Sequence, residues 1–369
     1  MKKNIFKSNG FQSLLASLLC IVLGLFLGYL VLLVINPAGA GEAILTVVKN
    51  FLTYKKTSSQ LKYLGNTLVK TAPLLMCSLS ILFAYKVGLF NIGAAGQYCF
   101  GVALSLYAAL GLGWSWLPCL LVAMAGGAVL GAISGVLKSY CNVNEVISGI
   151  MLNWIVLYLT NMLLTTVKEA ASPYTIVLAN NNPSAVLPSL GLGALFNKNQ
   201  YVGLAIPLSI VMAILIWIVL DKTRFGYELK ATGFNRNAAK YCGMAEKRNV
   251  ILSLVISGAL AGMGGAVEVM GVHHYFIVNM TSGYGFDGVA MALIGQLHPI
   301  ATMVVALFFA VLRVGSTTMQ AATGVPTSVS DIIQALVIVF SVAGMALTKL
   351  PEFQSWKSRV FGKRKAGAV

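Results

Sequence analysis

The feature that most constrains this chain is an uncharged run from Ser13 to Ile35, preceded by Lys2, Lys3 and Lys7. Roughly 23 residues rising 1.5 Å each span a hydrocarbon core of about 30 Å. The run exceeds the ~7–15 apolar residues of a signal-peptide core, so it reads as an uncleaved first helix. Similar runs follow at Thr71–Val87, Ile92–Leu112, Leu117–Leu137, Val146–Val167, Gly203–Leu220 and Val250–Val267. Two short runs, Val289–Leu297 and Ile300–Leu312, are parted by His298-Pro299, and a last helix covers Ile332–Thr348. Only 10% of the residues are charged, against about 25% in soluble proteins. The expected fold is all-α, a polytopic membrane protein of about eight to ten spans with one or two discontinuous or re-entrant helices.

Charge then orients the chain. The net charge of +16 is spread between apolar runs, a pattern of topology signals and lipid-headgroup contacts rather than a nucleic-acid face. With the N-terminus inside, seven spans place Asp221–Asn249 in the cytosol. That loop holds Lys222, Arg224, Lys230, Arg236, Lys240, Lys247 and Arg248, as the positive-inside rule requires. The expected organisation is a cytosolic segment 1–12, a transmembrane region 13–348 containing the cytosolic loop 221–249, and a basic cytosolic tail 349–369. This needs an even number of crossings, or a re-entry, between Gly283 and Val325. The loop Asn36–Lys70, which carries Lys49, Lys55, Lys56, Lys62 and Lys70, falls outside and fits the rule less well.

The six cysteines lack paired spacing and read as small buried hydrophobes. Glycines repeat at four-residue intervals at Gly127, Gly131 and Gly135, at Gly24 and Gly28, and at Gly258 and Gly262 before Ala266. Such stripes allow close approach of helices and report packing alone.

Two stretches interrupt the apolar pattern with glycine and polarity. Gly88–Gln97 reads GLFNIGAAGQ, and Gly283–Gln296 reads GYGFDGVAMALIGQ. Irregular backbone at membrane depth survives only inside protein or beside a watery cavity, so each break points to a solute pathway. A hairpin between two helices is the competing reading. Phe90-Asn91-Ile92-Gly93-Ala94 echoes Phe286-Asp287-Gly288-Val289-Ala290, an internal repeat that would frame a central site with two half-helices. Phe90 and Phe286 offer aromatic faces there, and Asn91, Gln97 and Asp287 offer hydrogen bonds.

Catalytic signatures are missing. The sequence has no phosphate-binding loop, G-x-S-x-G elbow, H-E-x-x-H pair or Cys/His metal spacing. Adjacent His273 and His274 read as interfacial polar residues. Acids at membrane depth, Glu145, Glu268, Asp287 and Asp331, must pair or face water, and Glu145 also suits a helix N-terminus. The cytosolic stretch Arg224–Met244 offers Asn235 as a cap for a short helix from Arg236. Its apolar anchors Phe225, Leu229, Phe234 and Met244 suit a docking surface better than a solvated connector.

These motifs resemble the permeases of ATP-binding-cassette importers of the ribose and branched-chain amino-acid type, and most of all the nucleoside-uptake branch. The resemblance runs roughly from Asn66 to Leu347. It rests on Phe90–Gln97, on NEVISGIMLN (Asn144–Asn153), on GFDGVAMALIG (Gly285–Gly295) and on Gly226, Leu229, Ala231, Gly233, Asn235, Ala238, Ala239 and Gly243 of the cytosolic loop. The branch usually has Glu where this chain has Ala95, and Arg where it has Lys230. The resemblance implies a transport subunit of a bacterial cytoplasmic membrane that binds no cofactor of its own. It implies a cytosolic ATPase that uses ATP and presses on Gly226–Gly243, with Ala238 and Ala239 on the pressed helix. A substrate-binding lipoprotein and a second permease, identical or paralogous, complete the expected assembly. The rival class is a stand-alone ion-coupled carrier using Glu145, Glu268 or Asp287 as proton sites.

Overall fold

A computed structural model describes residues 9–167, 175–277 and 283–348. Residues 1–8 and the basic tail 349–369 lie outside the described residues. The chain divides into two compact units, Met1–Asn50 with Gly315–Val369, and Phe51–Val314.

The first unit contains α1 (Asn9–Ile35), α2 (Ala40–Lys49), the end of α12 (Pro299–Thr323) and α13 (Thr327–Thr348). Gly24 and Gly28 seat α1 on α13. A methyl group at Gly24 would stand 2.5 Å from the Val337 Cα, and one at Gly28 would stand 2.9 Å from the Ile333 side chain. The glycine spacing in this helix is therefore a packing device, as its period implies.

The second unit contains α3 (Thr57–Tyr85), α4 (Ala94–Leu106), α5 (Trp116–Tyr140), α6 (Glu145–Leu164) and α7 (Ala205–Lys222). It continues through α8 (Arg224–Phe234), α9 (Arg236–Tyr241), α10 (Glu246–Val267), α11 (Tyr284–Ile294) and the first part of α12. Helix α10 lies at its centre, against α3, α4 and α5. Backbones meet where the glycine stripes predict: methyl groups at Gly127 and Gly131 would collide with the Gly258 and Leu254 carbonyls, and one at Gly262 with that of Ala123. Strands β1 (Thr175–Val177) and β2 (Tyr275–Ile277) pair antiparallel, Ile176 opposite Phe276.

Among the described residues seven helices are long and apolar enough to cross a membrane. Three shorter apolar helices accompany them, Ile21–Ile35, Tyr284–Ile294 and Thr327–Ser341. The all-α polytopic fold is as expected, with three local differences. The region Asn36–Lys70 is helical, so Lys62 and Lys70 ride on α3 rather than on a loop. Ile300–Leu312 belongs to the 25-residue α12. Pro299 opens that helix, where its missing N–H has no role, and Arg313 is tolerated within it because Asp287 pairs with it at 2.9 Å. Helix α11 is a half-helix: its 11 residues rise about 16 Å, half the hydrocarbon thickness.

Within the second unit, α3, α7 and α10 connect two ends. At one end the turn after α3 meets α8, while the Ser139 hydroxyl donates to the Lys247 carbonyl and Lys138 pairs with Glu145 at 2.7 Å. At the other stand the β1–β2 pair and the approach to α7, where the Leu187 amide donates to the Met270 carbonyl.

Candidate solute pathway and coupling surface

The Gly-rich break begins with a helix stop. Gly88 takes φ 74°, a left-handed conformation that suits glycine. The Leu89 amide donates to the Ala84 carbonyl and the Gly88 amide to that of Tyr85, a Schellman end that closes α3. The chain then runs irregularly to Gly93, from which α4 starts.

Asn91 is buried within this irregular stretch. Its amide donates 2.8 Å to Gln97 Oε1 and 2.7 Å to Ser257 Oγ. Ser257 in turn donates to the Ser80 carbonyl at 2.7 Å, so the Ser80 hydroxyl, 3.0 Å away, must donate to Ser257. The Ser257 oxygen thereby spends its hydrogen and both lone pairs. Asn153 on α6 performs the matching service for α4. It accepts from the Gly96 amide at 2.8 Å and donates to the Ile92 carbonyl at 3.1 Å. Four helices and the break are thus joined through buried polar contacts.

The structure brings Asn91 and Gln97 together but turns both inward. Phe90 is half-buried, its ring edge-on to Tyr85. Phe286 is 54% exposed and shares a pocket of about 130 Å3 with Ala95, Gly96, Cys99, Asn153 and Trp154. Asp287 binds Arg313, whose guanidinium lies 4.3 Å over the Tyr284 ring. The proposed echo between the two breaks does not extend to local geometry: Asn91 precedes its helix, whereas Asp287 lies in the first turn of α11. The half-helices nevertheless touch, since a methyl at Gly285 would stand 2.5 Å from the Ala95 Cα.

The basic loop Asp221–Asn249 folds as two helices. Thr223 caps α8 by accepting from the Gly226 amide at 3.1 Å, and Asn235 caps α9 by accepting from the Ala238 amide at 3.0 Å. The second cap is the one its sequence position predicts. Gly226, Leu229 and Ala239 are buried, and Gly243 takes φ 77°. Ala238 is exposed, so of the two neighbouring alanines only Ala239 packs inward. Lys230 ties α8 to α7 through Asp221 at 2.7 Å. Burial lowers the Lys86 pKa beside this pair, the Asp221 carboxylate pulling the other way. Phe234 and Tyr241 stand 93% and 92% exposed.

Two of the remaining acids have a partner, and Asp331 is exposed. Glu145 opens α6, pairs with Lys138 and faces the Phe90 amide, and Glu268 lies 3.4 Å from His273 Nε2. Burial lowers the His274 pKa. Sequence reasoning missed Ser80, Ser257 and Arg313, whose neighbours in sequence are largely apolar and carry no motif, and it quoted Asn153 within NEVISGIMLN without marking it as the bridge to α4. Among the described residues no three His, Cys, Asp or Glu side chains converge on a metal-sized site.

Residues 63–342 match the family described as "Branched-chain amino acid transport system / permease component". The guanosine ABC transporter permease protein NupP of Bacillus subtilis is 33% identical over 340 residues, 90% of this chain and 94% of that relative. The nucleoside ABC transporter permease protein NupB of Lactococcus lactis is 31% identical, covering 97% of this chain and 99% of its own length. The glucose ABC transporter permease protein TsgB13 of Haloferax volcanii is 32% identical over 76% of each.

Proposed function

The chain belongs to the branched-chain amino acid transport permease family, and from that premise we propose that it carries nucleosides across a bacterial cytoplasmic membrane. It is the membrane-embedded permease of an ATP-binding-cassette importer, a transport subunit rather than an enzyme, working with an ATPase and a substrate-binding protein. The nucleoside assignment draws on NupP and NupB, which align with nearly the whole chain. A simple sugar is the second reading, favoured by TsgB13.

The observation that carries the mechanism is the contact between α8 and the break. A methyl at Gly233 would stand 2.5 Å from the Lys86 carbonyl and 2.9 Å from the Val87 Cα. Three residues beyond Gly88 lies Asn91, bonded into α10 through Ser257. ATP-driven closure of the ATPase pair pushes on Phe234, Ala238 and Tyr241, displaces α8, and through Lys86–Gly88 shifts the break that seats α4 and α11. Solute passes beside Ala95, Phe286 and the Asp287–Arg313 pair, with Phe90, Asn91 and Gln97 holding the wall behind them. ATP is bound by the partner, and this chain needs no cofactor.

The basic residues around α8 and α9 support a cytosolic reading of that end, and the lysines and arginines in the sequence near each terminus support the same reading there. The delivering protein is a lipoprotein at the opposite face, and a second permease, this chain or a paralogue, completes the pathway. An ion-coupled carrier is disfavoured, because Glu145 and Asp287 are each ion-paired, to Lys138 and Arg313. The assignment is tested by uptake of radiolabelled nucleosides and glucose in cells lacking and regaining this chain. Restored nucleoside uptake with unchanged glucose uptake supports it, and the converse replaces it with the sugar reading.

A further inference from the structure

Away from the Phe286 pocket, the end of the second unit opposite α8 and α9 holds a separate pocket of about 230 Å3. Asn66, Val69, Lys70, Tyr201, Val272, His273 and Tyr275 line it. Its volume lies below the roughly 300–1,000 Å3 of drug-sized sites and suits one small solute. Tyr201 and Tyr275, 45% and 42% exposed, stand at the mouth. Each ring is braced by a histidine: Tyr201 by His274 at 5.3 Å, Tyr275 by His273 at 5.6 Å.

Deeper in, the polar groups offer complementary chemistry. Lys70 makes no hydrogen bond or ion pair with a described residue, although an ammonium on a membrane helix ordinarily finds an acceptor. Asn66 uses its oxygen to accept from Asn199 at 2.8 Å, which leaves its amide hydrogens to donate. His273 lines the pocket and turns Nε2 to Glu268 at 3.4 Å, which leaves its Nδ1 to accept. Aromatic walls for a flat ring, donors for ring or hydroxyl oxygens and an acceptor for hydroxyl hydrogens converge on one opening.

We propose that this pocket is the receiving site for a nucleoside, taken up at the extracytoplasmic face before it reaches the Phe286 pocket. The proposal rests on the nucleoside reading above and extends it to a second, outer station. The base stacks against Tyr201 or Tyr275, and the ribose hydroxyls meet Lys70, Asn66 and His273.

The test uses the permease assembled with its ATPase in lipid vesicles without the binding protein, so that only free solute can shield the pocket. In a background carrying Cys20→Ser, Cys141→Ser and Cys242→Ser, which leaves only buried thiols among the described residues, Asn66→Cys is labelled with a membrane-impermeant maleimide. Adenosine at millimolar concentration is expected to slow labelling at least threefold, and ribose is not. Because Asn66 also holds Asn199, Tyr275→Cys at the mouth is the second variant, with the same expectation. Equal labelling with and without adenosine at both positions overturns the proposal, as does equal protection by ribose. Nucleoside uptake by the complete wild-type transporter is measured in parallel. Its absence removes the nucleoside reading, whereas uptake without protection removes only the outer site.

Discussion

Gly233 and Val87 meet backbone to backbone, so close that a methyl group on Gly233 would stand 2.9 Å from the Val87 Cα and 2.5 Å from the Lys86 carbonyl. This seat joins α8 to the turn that opens the Gly-rich break. Gly233→Ala should force the two apart by several tenths of an ångström while leaving the membrane helices in place. We expect normal insertion and retained ATPase binding, with nucleoside uptake reduced at least tenfold. Undiminished uptake would show that motion does not travel through this contact.

Ala238 and Ala239 separate docking from folding. Ala238 is exposed, whereas Ala239 is buried at 3% exposure. Ala238→Trp should leave expression unchanged and abolish co-purification with the ATPase. Ala239→Trp should instead destabilise the α9 seat, since overpacking typically costs about 1–3 kcal/mol, and lower the yield of folded chain. Equal behaviour of the two variants in pull-down and in thermal midpoint would contradict the assigned faces.

The Asn91 network should be worth stability. Ser257→Ala strands the Ser80 hydroxyl and removes one of two bonds from the Asn91 amide. An unsatisfied buried polar group costs about 1–3 kcal/mol, so the thermal midpoint in detergent should fall by several degrees. A midpoint within error of the parent would mean that the contact is replaced or solvated.

Much of this was legible in the chain because its largest signals are one-dimensional. Runs such as Ser13–Ile35 announce helices by length and lack of charge, and Gly127, Gly131 and Gly135 announce a close crossing by period. The cap at Asn235 was legible for the same reason: its partner, Ala238, is three residues away. The site was less so. Ser257 lies 166 residues from Asn91, and nothing in its local sequence separates a network serine from a packing one. Arg313 interrupts an apolar run and finds its reason only when α11 brings Asp287 to it. The burial of Ala239 beside an exposed Ala238 depends on how α9 lies on the bundle, which helix period alone does not supply.

Ala95 lines the pocket of about 130 Å3 with Phe286 and Trp154, at the position where the resemblance led to an expectation of Glu. Ala95→Glu adds a carboxylate beside the solute and should alter which nucleosides compete for uptake, with ATPase assembly preserved. An unchanged competition profile would remove Ala95 from the pathway.

The central claim, that this chain moves nucleosides only when driven by ATP through α8 and α9, is tested by transport into proteoliposomes holding the permease, its ATPase and its binding protein. We predict nucleoside uptake that requires ATP on the ATPase side, survives proton and sodium ionophores, and disappears with Ala238→Trp. Uptake by the permease alone, driven by an ion gradient and unaffected by Ala238→Trp, would contradict it.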